Sequence, residues 1–406
     1  MQKTLLILTA SMAICPSTTS SAQTMSDPGP HLAGWRDVSF RDTNFGRDQL
    51  EARVYYPAVA TGHNQAANPT NAPFPLVAFM HGWIEPASDY DDFCNHLATW
   101  GFVIISNDTE LGLFPRMQDQ AKDTRSMLQW VEDESATANS WLNGMTANQE
   151  WGALGHSMGA SAIAYLVKYE PRVRNGVMFE PYSGSLLGNT SNGFSNFIDY
   201  DGSLLVVAGS DDLTNNWSVA VRPWYDRADS TNRRVWSLIS GSDHFGCTDM
   251  AGWNGSLSGQ AQHRVHRQLG TAYLMSEMVG DEDRLLDLLD TDYTSFEAES
   301  TSTPLWALTS PNTPNTITVG SFSREGNRLR VAGSFSTGST TTIYGDVGID
   351  IPTMRIAIDV ILGVDGIAEL DIPLDAAWIG QTIYFQALAD QGLVGDLSTV
   401  NQVLLN

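Results

Sequence analysis

The sequence predicts a doubly wound α/β domain with a mostly parallel sheet, followed by an all-β sandwich domain. Three observations carry this. Between Asp37 and Glu299, short apolar runs of strand length alternate with stretches of helical spacing. From about residue 312 to Asn406, apolar and polar residues alternate with period two, and no helical run intervenes. Between the two lies Ser300 to Pro314, rich in Ser, Thr and Pro, as a linker would be.

Taken in order, Arg53 to Tyr56 is strand-like. Pro75 to Met80 is a continuous apolar run bounded by Pro75 and Gly82, the mark of a strand buried on both faces. Ser88 to Trp100 has helical spacing through Tyr90, Phe93 and Leu97, with Ser88 to cap its start and Gly101 to stop it. Phe102 to Ser106 is the next strand, and Gln118 to Glu134 a long helix with Met127, Leu128 and Val131 inward. Trp151 to Leu154 (strand), Ala160 to Tyr169 (helix) and Gly176 to Phe179 (strand) follow, then strands at Leu204 to Ala208 and Val235 to Ile239. Gln260 to Met278 and Asp283 to Leu289 read as helices. In the C-terminal part, Thr316 to Val319, Arg328 to Val331 and Thr382 to Phe385 show the two-residue period most clearly. The division is therefore 1–22 signal peptide, 23–36 leader, 37–299 α/β domain, 300–314 linker and 315–406 β-sandwich domain.

The signal peptide rests on Lys3, the apolar run Leu5 to Ile14 and the small residues Ser20, Ser21 and Ala22. It predicts a secreted or periplasmic protein. No later stretch is apolar for the roughly 20 residues a membrane span needs. The 46 acidic against 22 basic residues give a net charge of −24, which repels phosphate backbones and anionic bilayers and excludes nucleic acid as a first expectation. Once the signal is removed, Cys94 and Cys247 remain. In an oxidising compartment an even pair invites a disulfide, and two buried free thiols are the alternative.

Gly155-His156-Ser157-Met158-Gly159 is a G-x-S-x-G match between a strand and a helix rich in small residues. Such a sharp turn projects the central hydroxyl from the sheet edge, and the helix N-terminus behind it favours developing negative charge. A serine nucleophile needs a base, and the base an orienting acid. Downstream, His263 and His266 stand three apart on a helix and read as surface residues, without a third metal ligand nearby. His244 lies in a loop after a strand, where a general base belongs. For the acid, Asp212 is favoured over Asp211 because it falls deeper in the loop after Gly209; Glu180 is the outside candidate, and Asp243 reads as a solvated neighbour. The backbone N–H groups of Met158 and Trp83, the latter in Met80-His81-Gly82-Trp83, would hold an oxyanion.

These motifs together resemble the α/β-hydrolase superfamily. The resemblance is to the secreted esterases that include cutinases and polyester (PET) hydrolases, chlorophyllases and platelet-activating-factor acetylhydrolases. Val54-Tyr55-Tyr56-Pro57-Ala58 and His96 to Val103 are similar to further passages of that group, over about residues 37 to 280. The resemblance implies that Trp83 flanks the scissile ester and that Tyr182, in Pro181-Tyr182, is the second wall of the substrate site. His81 and Ala160 depart from the polyester group, where proline and glycine are usual, and lean towards chlorophyllase-like or general esterases. The C-terminal module resembles tail domains of secreted bacterial proteins.

The expected function is a secreted serine carboxylic-ester hydrolase with the triad Ser157, Asp212 and His244, no metal and no organic cofactor. Leu111, Leu113 and Phe114 line its cleft in one reading and are buried packing in another. An amidase or exopeptidase, or a lipase or phospholipase, would use the same triad. A binding protein with a vestigial hydrolase domain is a third reading, against which the intact Ser-Asp-His order argues. Oligomeric state is not legible in the sequence.

Overall fold

A computed structural model describes residues 24–405, apart from 43, 44, 48, 147–149, 185–189, 198, 230, 290–292, 301–303, 310–314, 392 and 393. The expected signal peptide lies outside the described residues, as does much of the expected linker. The first part of the chain builds one ten-stranded sheet. Its strands are β1 (Leu32–Phe40), β2 (Leu50–Ala58), β3 (Gly62–His63), β4 (Leu76–Met80), β5 (Val103–Asn107), β6 (Trp151–His156), β7 (Val173–Phe179), β8 (Ser203–Gly209), β9 (Arg233–Ile239) and β10 (Thr294–Ser300). The spatial order is β10-β9-β8-β7-β6-β4-β5-β2-β1-β3. From β5 across to β9 every pairing is parallel, while β2 against β5, β1 against β2 and β10 against β9 are antiparallel.

Parallel strands need crossovers, and helices supply them: α1 (Asp91–Thr99), α2 (Met117–Ala136), α3 (Met158–Tyr169), α4 (Thr190–Phe197) and α5 (Arg222–Asp226), while α6 (Gly259–Leu274) and α7 (Arg284–Leu289) lie between β9 and the antiparallel β10. The strands show why their sequences are continuous apolar runs. In β4, Leu76, Ala78 and Met80 pack into one core with α2 and α3 residues such as Met127, Leu128 and Ile163. Val77 and Phe79 point the other way, into a core with Phe93, Leu97 and Leu269 from α1 and α6. The order of strands, with all five in parallel, brings the carboxyl ends of β4, β6, β7, β8 and β9 to one edge.

Two expected boundaries move. The leader 23–36 already contains the start of β1, whose Ala33 is buried, and Met25 is buried as well. The linker 300–314 contains β11 (Leu305–Thr309), with Leu305, Trp306 and Ala307 buried.

After β11 the chain is β-rich, with β12 (Thr316–Phe322), β13 (Arg328–Ser334), β14 (Thr337–Thr342), β15 (Gly345–Ile349), β16 (Arg355–Ile361), β17 (Ile367–Pro373), β18 (Thr382–Gln391), β19 (Val394–Leu397) and β20 (Asn401–Leu404). The antiparallel sheets are β11-β12-β17 and β16-β13-β18-β19, with β20 on β18 and a separate β14-β15 hairpin. Ile317 and Val319 from the first sheet and Val331, Ile358, Phe385 and Ala387 from the second share one apolar core. This region is not tethered loosely. Trp306 and Phe322 belong to the same core cluster as Leu285, Leu288 and Ala298 of the first part. A Cβ on Gly320 would come within 2.3 Å of the Trp306 ring, so glycine there is what lets the indole seat.

Candidate active site

Ser157 stands alone between β6 and α3 with φ 51° and ψ −113°, a conformation L residues rarely adopt. Close packing enforces it. A Cβ on Gly155 would lie 2.6 Å from the Ala160 nitrogen, and one on Gly159 would lie 2.1 Å from the Met80 carbonyl oxygen. Strand, turn and helix therefore pass each other at backbone contact, which only glycine permits. Ser157 N donates to the Phe179 carbonyl at 2.9 Å, and the Ser157 carbonyl accepts from Tyr182 N at 3.1 Å, so both neighbouring segments fix the turn. A serine at a helix N-cap ordinarily caps the first turn with its own hydroxyl. This one does not: Ser157 Oγ lies 3.0 Å from His244 Nε2.

His244 lies in the loop after β9. Its Nδ1 is 2.8 Å from Asp212 Oδ2. Asp212, in the loop after β8, has a fully buried carboxyl whose other oxygen accepts from the backbone N–H groups of Thr214 and Asn215, each at 2.7 Å. The fork leaves one oxygen for the imidazole and fixes its direction. A Cβ on Gly209 would meet the Ser242 carbonyl at 2.4 Å, so glycine lets the acid loop and the base loop touch. Asp211 is instead exposed to Ser256, which donates to it from both N and Oγ.

Two sequence expectations change, and one open alternative is decided. Asp243 is buried rather than solvated, and it accepts from the backbone N–H groups of Phe245, Asn254 and Gly255, tying the base loop together. His266 is fully buried rather than on the helix surface: Nε2 faces Glu180 Oε1 at 3.0 Å, and Nδ1 donates to the Gln262 carbonyl. Glu180 is thereby engaged away from His244. Cys94 and Cys247 form no bridge; both are buried free thiols, and burial raises each well above the ordinary thiol value, which keeps them protonated and unreactive. His263 is half-buried, with Nδ1 3.3 Å from Asp92.

Met158 is the first residue of α3, and Trp83 lies in the loop after β4. Among the described residues, neither backbone N–H has a backbone acceptor. The turn after Trp83 is strained at Ile84, a β-branched residue with φ 58°. His81, at the position where the resemblance expects proline, is buried, with Nδ1 2.6 Å from the Gly82 carbonyl and Nε2 2.6 Å from the Thr109 carbonyl. It stiffens this loop by hydrogen bonds rather than by a ring.

Around the cleft, Trp83 is 40% exposed and its Nε1 donates to the Leu113 carbonyl at 3.2 Å. Leu111, Leu113 and Phe114 are exposed rather than packed, Phe114 at 82%. Tyr182 is partly buried against the α2/α3 core. Phe245, next to His244, stacks on Trp253 with ring centroids 5.7 Å apart. Trp253 is 68% exposed and escaped sequence reasoning, because nothing in Gly252-Trp253-Asn254-Gly255 marks it as near the base.

Among the described residues, His156, Glu180 and Cys247 are one group whose ligand atoms lie within 4.8 Å of one another. Both His156 ring nitrogens are already committed, Nδ1 towards Glu85 at 3.0 Å and Nε2 to the His244 carbonyl at 2.8 Å, so this group is poorly suited to hold a metal.

A profile of the family described as PET hydrolase-like matches residues 9–265, more than half of the chain. No curated protein matches the chain.

Proposed function

Because the chain belongs to the PET hydrolase-like family, a group of α/β-hydrolase-type ester hydrolases, we propose that it is a secreted serine carboxylic-ester hydrolase working through an acyl-enzyme on Ser157, His244 and Asp212. The observation that carries this reading is the run of contacts from Ser157 Oγ to His244 Nε2 at 3.0 Å and from His244 Nδ1 to Asp212 at 2.8 Å. His244 takes the hydroxyl proton as Ser157 attacks the ester carbonyl, and Asp212 holds the tautomer and stabilises the imidazolium. The N–H groups of Met158 and Trp83 receive the tetrahedral oxyanion, with the N-terminus of α3 adding its dipole. His244 returns the proton to the departing alcohol. A water, deprotonated by the same imidazole, then releases the acid and restores Ser157.

The exposed apolar rim of Trp83, Leu113, Phe114 and Trp253, with Tyr182 as the opposite wall, favours esters with bulky apolar or aromatic acyl groups, polyesters included. We read the C-terminal sheets as a β-sandwich domain, and residues 1–22 as an export signal. The test is an ester panel on the mature protein: p-nitrophenyl butyrate, an aromatic polyester film, a triglyceride and a phospholipid, against a matched anilide. Turnover of the apolar esters, abolished in Ser157→Ala, supports the reading. Faster turnover of the anilide would make an amidase of it, and turnover that survives Ser157→Ala would remove the triad. Edman sequencing of exported protein is expected to start just after Ala22.

A further inference from the structure

Directly beneath the nucleophile lies a second set of ionisable groups that the mechanism above does not use. His156, the residue before Ser157, is fully buried with its ring centroid 4.8 Å from that of His244. Its Nε2 faces the backbone carbonyl of His244 at 2.8 Å, and a carbonyl only accepts, so Nε2 carries a proton. Its Nδ1 faces Glu85 Oε2 at 3.0 Å and Tyr90 Oη at 2.9 Å. The Tyr90 hydroxyl already donates to Glu85 and accepts from Gly82 N at 2.9 Å. A bare lone pair on Nδ1 would therefore point at a carboxylate and at the oxygen lone pairs of a phenol. The arrangement is satisfied when Nδ1 is also protonated, which makes the ring an imidazolium against an ionised Glu85.

The packing is specific to this pair. A Cβ on Gly82 would lie 2.0 Å from Glu85 Oε2 and 2.9 Å from His156 Nδ1, so the oxyanion-side loop can only pass this close as glycine. Burial alone would lower the His156 pKa, but Glu85, then Glu180 and the His244 carbonyl, outweigh it and hold the value above the ordinary one. Burial would likewise raise Glu85, and His156 and Tyr90 hold it below.

We propose that His156 and Glu85 form a buried ion pair that positions the general base: it anchors the His244 backbone to the nucleophile turn and, through Tyr90, to the Gly82-Trp83 loop. Neither residue touches substrate, so both are positioning residues. Three loops from different strand ends meet at this one pair, and a shift of about 1 Å in any of them is enough to cost about a hundredfold in rate. The pair also acts through charge. An imidazolium beside His244 opposes protonation of the base, and the Glu85 carboxylate opposes that effect. The other ionisable groups facing His156 are Glu180, held by His266, the Cys247 thiol, Tyr90 and His244 itself.

The inference rests on the esterase reading and is tested separately from it. In p-nitrophenyl butyrate hydrolysis, His156→Gln and Glu85→Gln are each expected to lower kcat about tenfold or more, with KM changed less than about twofold. The acid limb of kcat/KM is expected to move to higher pH in His156→Gln, which leaves the anion alone beside His244, and to stay near its native place in Glu85→Gln, where burial without the carboxylate leaves His156 neutral. The double variant should return the limb towards its native place while kcat stays low. A limb that does not move in His156→Gln, or that moves up equally in Glu85→Gln, overturns the proposal. Where a variant does not fold, long-range 1H–15N spectra of the native protein decide: both His156 ring nitrogens should be protonated at pH 7.5, and a neutral tautomer there refutes the ion pair. Native turnover in Ser157→Ala would instead sink the esterase reading itself.

Discussion

The two parts of the chain bury very different things. The core shared by the C-terminal sheets is aliphatic with one aromatic, Phe385, and among the described residues from β11 onward Asp390 is the only buried ionisable side chain. Beneath the carboxyl edge of the large sheet, Glu85, His156, Glu180, Asp212, Asp243, His244 and His266 are all buried. A fold needs no such set, since burying a charge is unfavourable unless it is paired and hydrogen-bonded. The C-terminal region has the composition that stability alone selects. The large sheet carries a buried ionisable set that stability alone would not select, paired across segments as His244 with Asp212, His156 with Glu85 and His266 with Glu180, while Asp243 is held by N–H groups of its own loop. The two parts meet where Trp306 and Phe322 enter the core of the first.

The sharpest way to break this contrast is Ser157→Ala. It is expected to lower kcat for p-nitrophenyl butyrate by about a millionfold, as for other triad serines, while thermal unfolding barely moves. Next comes Asp212→Asn, which keeps the shape but misdirects the His244 tautomer; steady-state kinetics should show kcat about ten-thousandfold lower. If either variant instead lost stability and kept its rate, the buried ionisable groups would be structural, like the C-terminal core.

The opposite signature is expected at the junction. Trp306→Ala empties a fully buried site, and denaturant titration should show a loss of about 3–5 kcal/mol while kcat of the folded fraction is unchanged. A matching loss of rate would mean that the two parts are coupled beyond packing. Asp243→Asn tests a smaller effect in the base loop. Burial would raise the Asp243 pKa, but the N–H groups of Asn254, Gly255 and Phe245 hold it below the ordinary carboxylate value. A depressed pKa stabilises the fold above the unfolded value, and that stability is lost as pH falls through the folded one. Melting curves should therefore show Asp243→Asn less stable by about 1–3 kcal/mol at pH 7, with the difference closing as pH falls below the ordinary carboxylate range.

How much of this was legible follows from burial. β4 and β8 were readable because both faces are covered and the sequence is apolar throughout. β1 and β10 went unread because they are antiparallel strands nearer the margins, with Trp35-Arg36-Asp37 and Glu297-Ala298-Glu299 in their middles. Ser157, Asp212 and His244 were legible because each sits in a loop that follows a recognisable strand. His266 was misread although a signal existed: it shares a helical face with Gln262, Leu269 and Tyr273, all buried. Glu85 carried no signal. Its role depends on a loop folding back onto His156, 71 positions away.

The most direct test is covalent. Mature protein treated with a fluorophosphonate and digested should carry one adduct per chain, on the peptide holding Ser157, and Asp212→Asn should label far more slowly. An adduct on any other serine, or a Ser157 that resists the reagent in folded and active enzyme, would contradict the account.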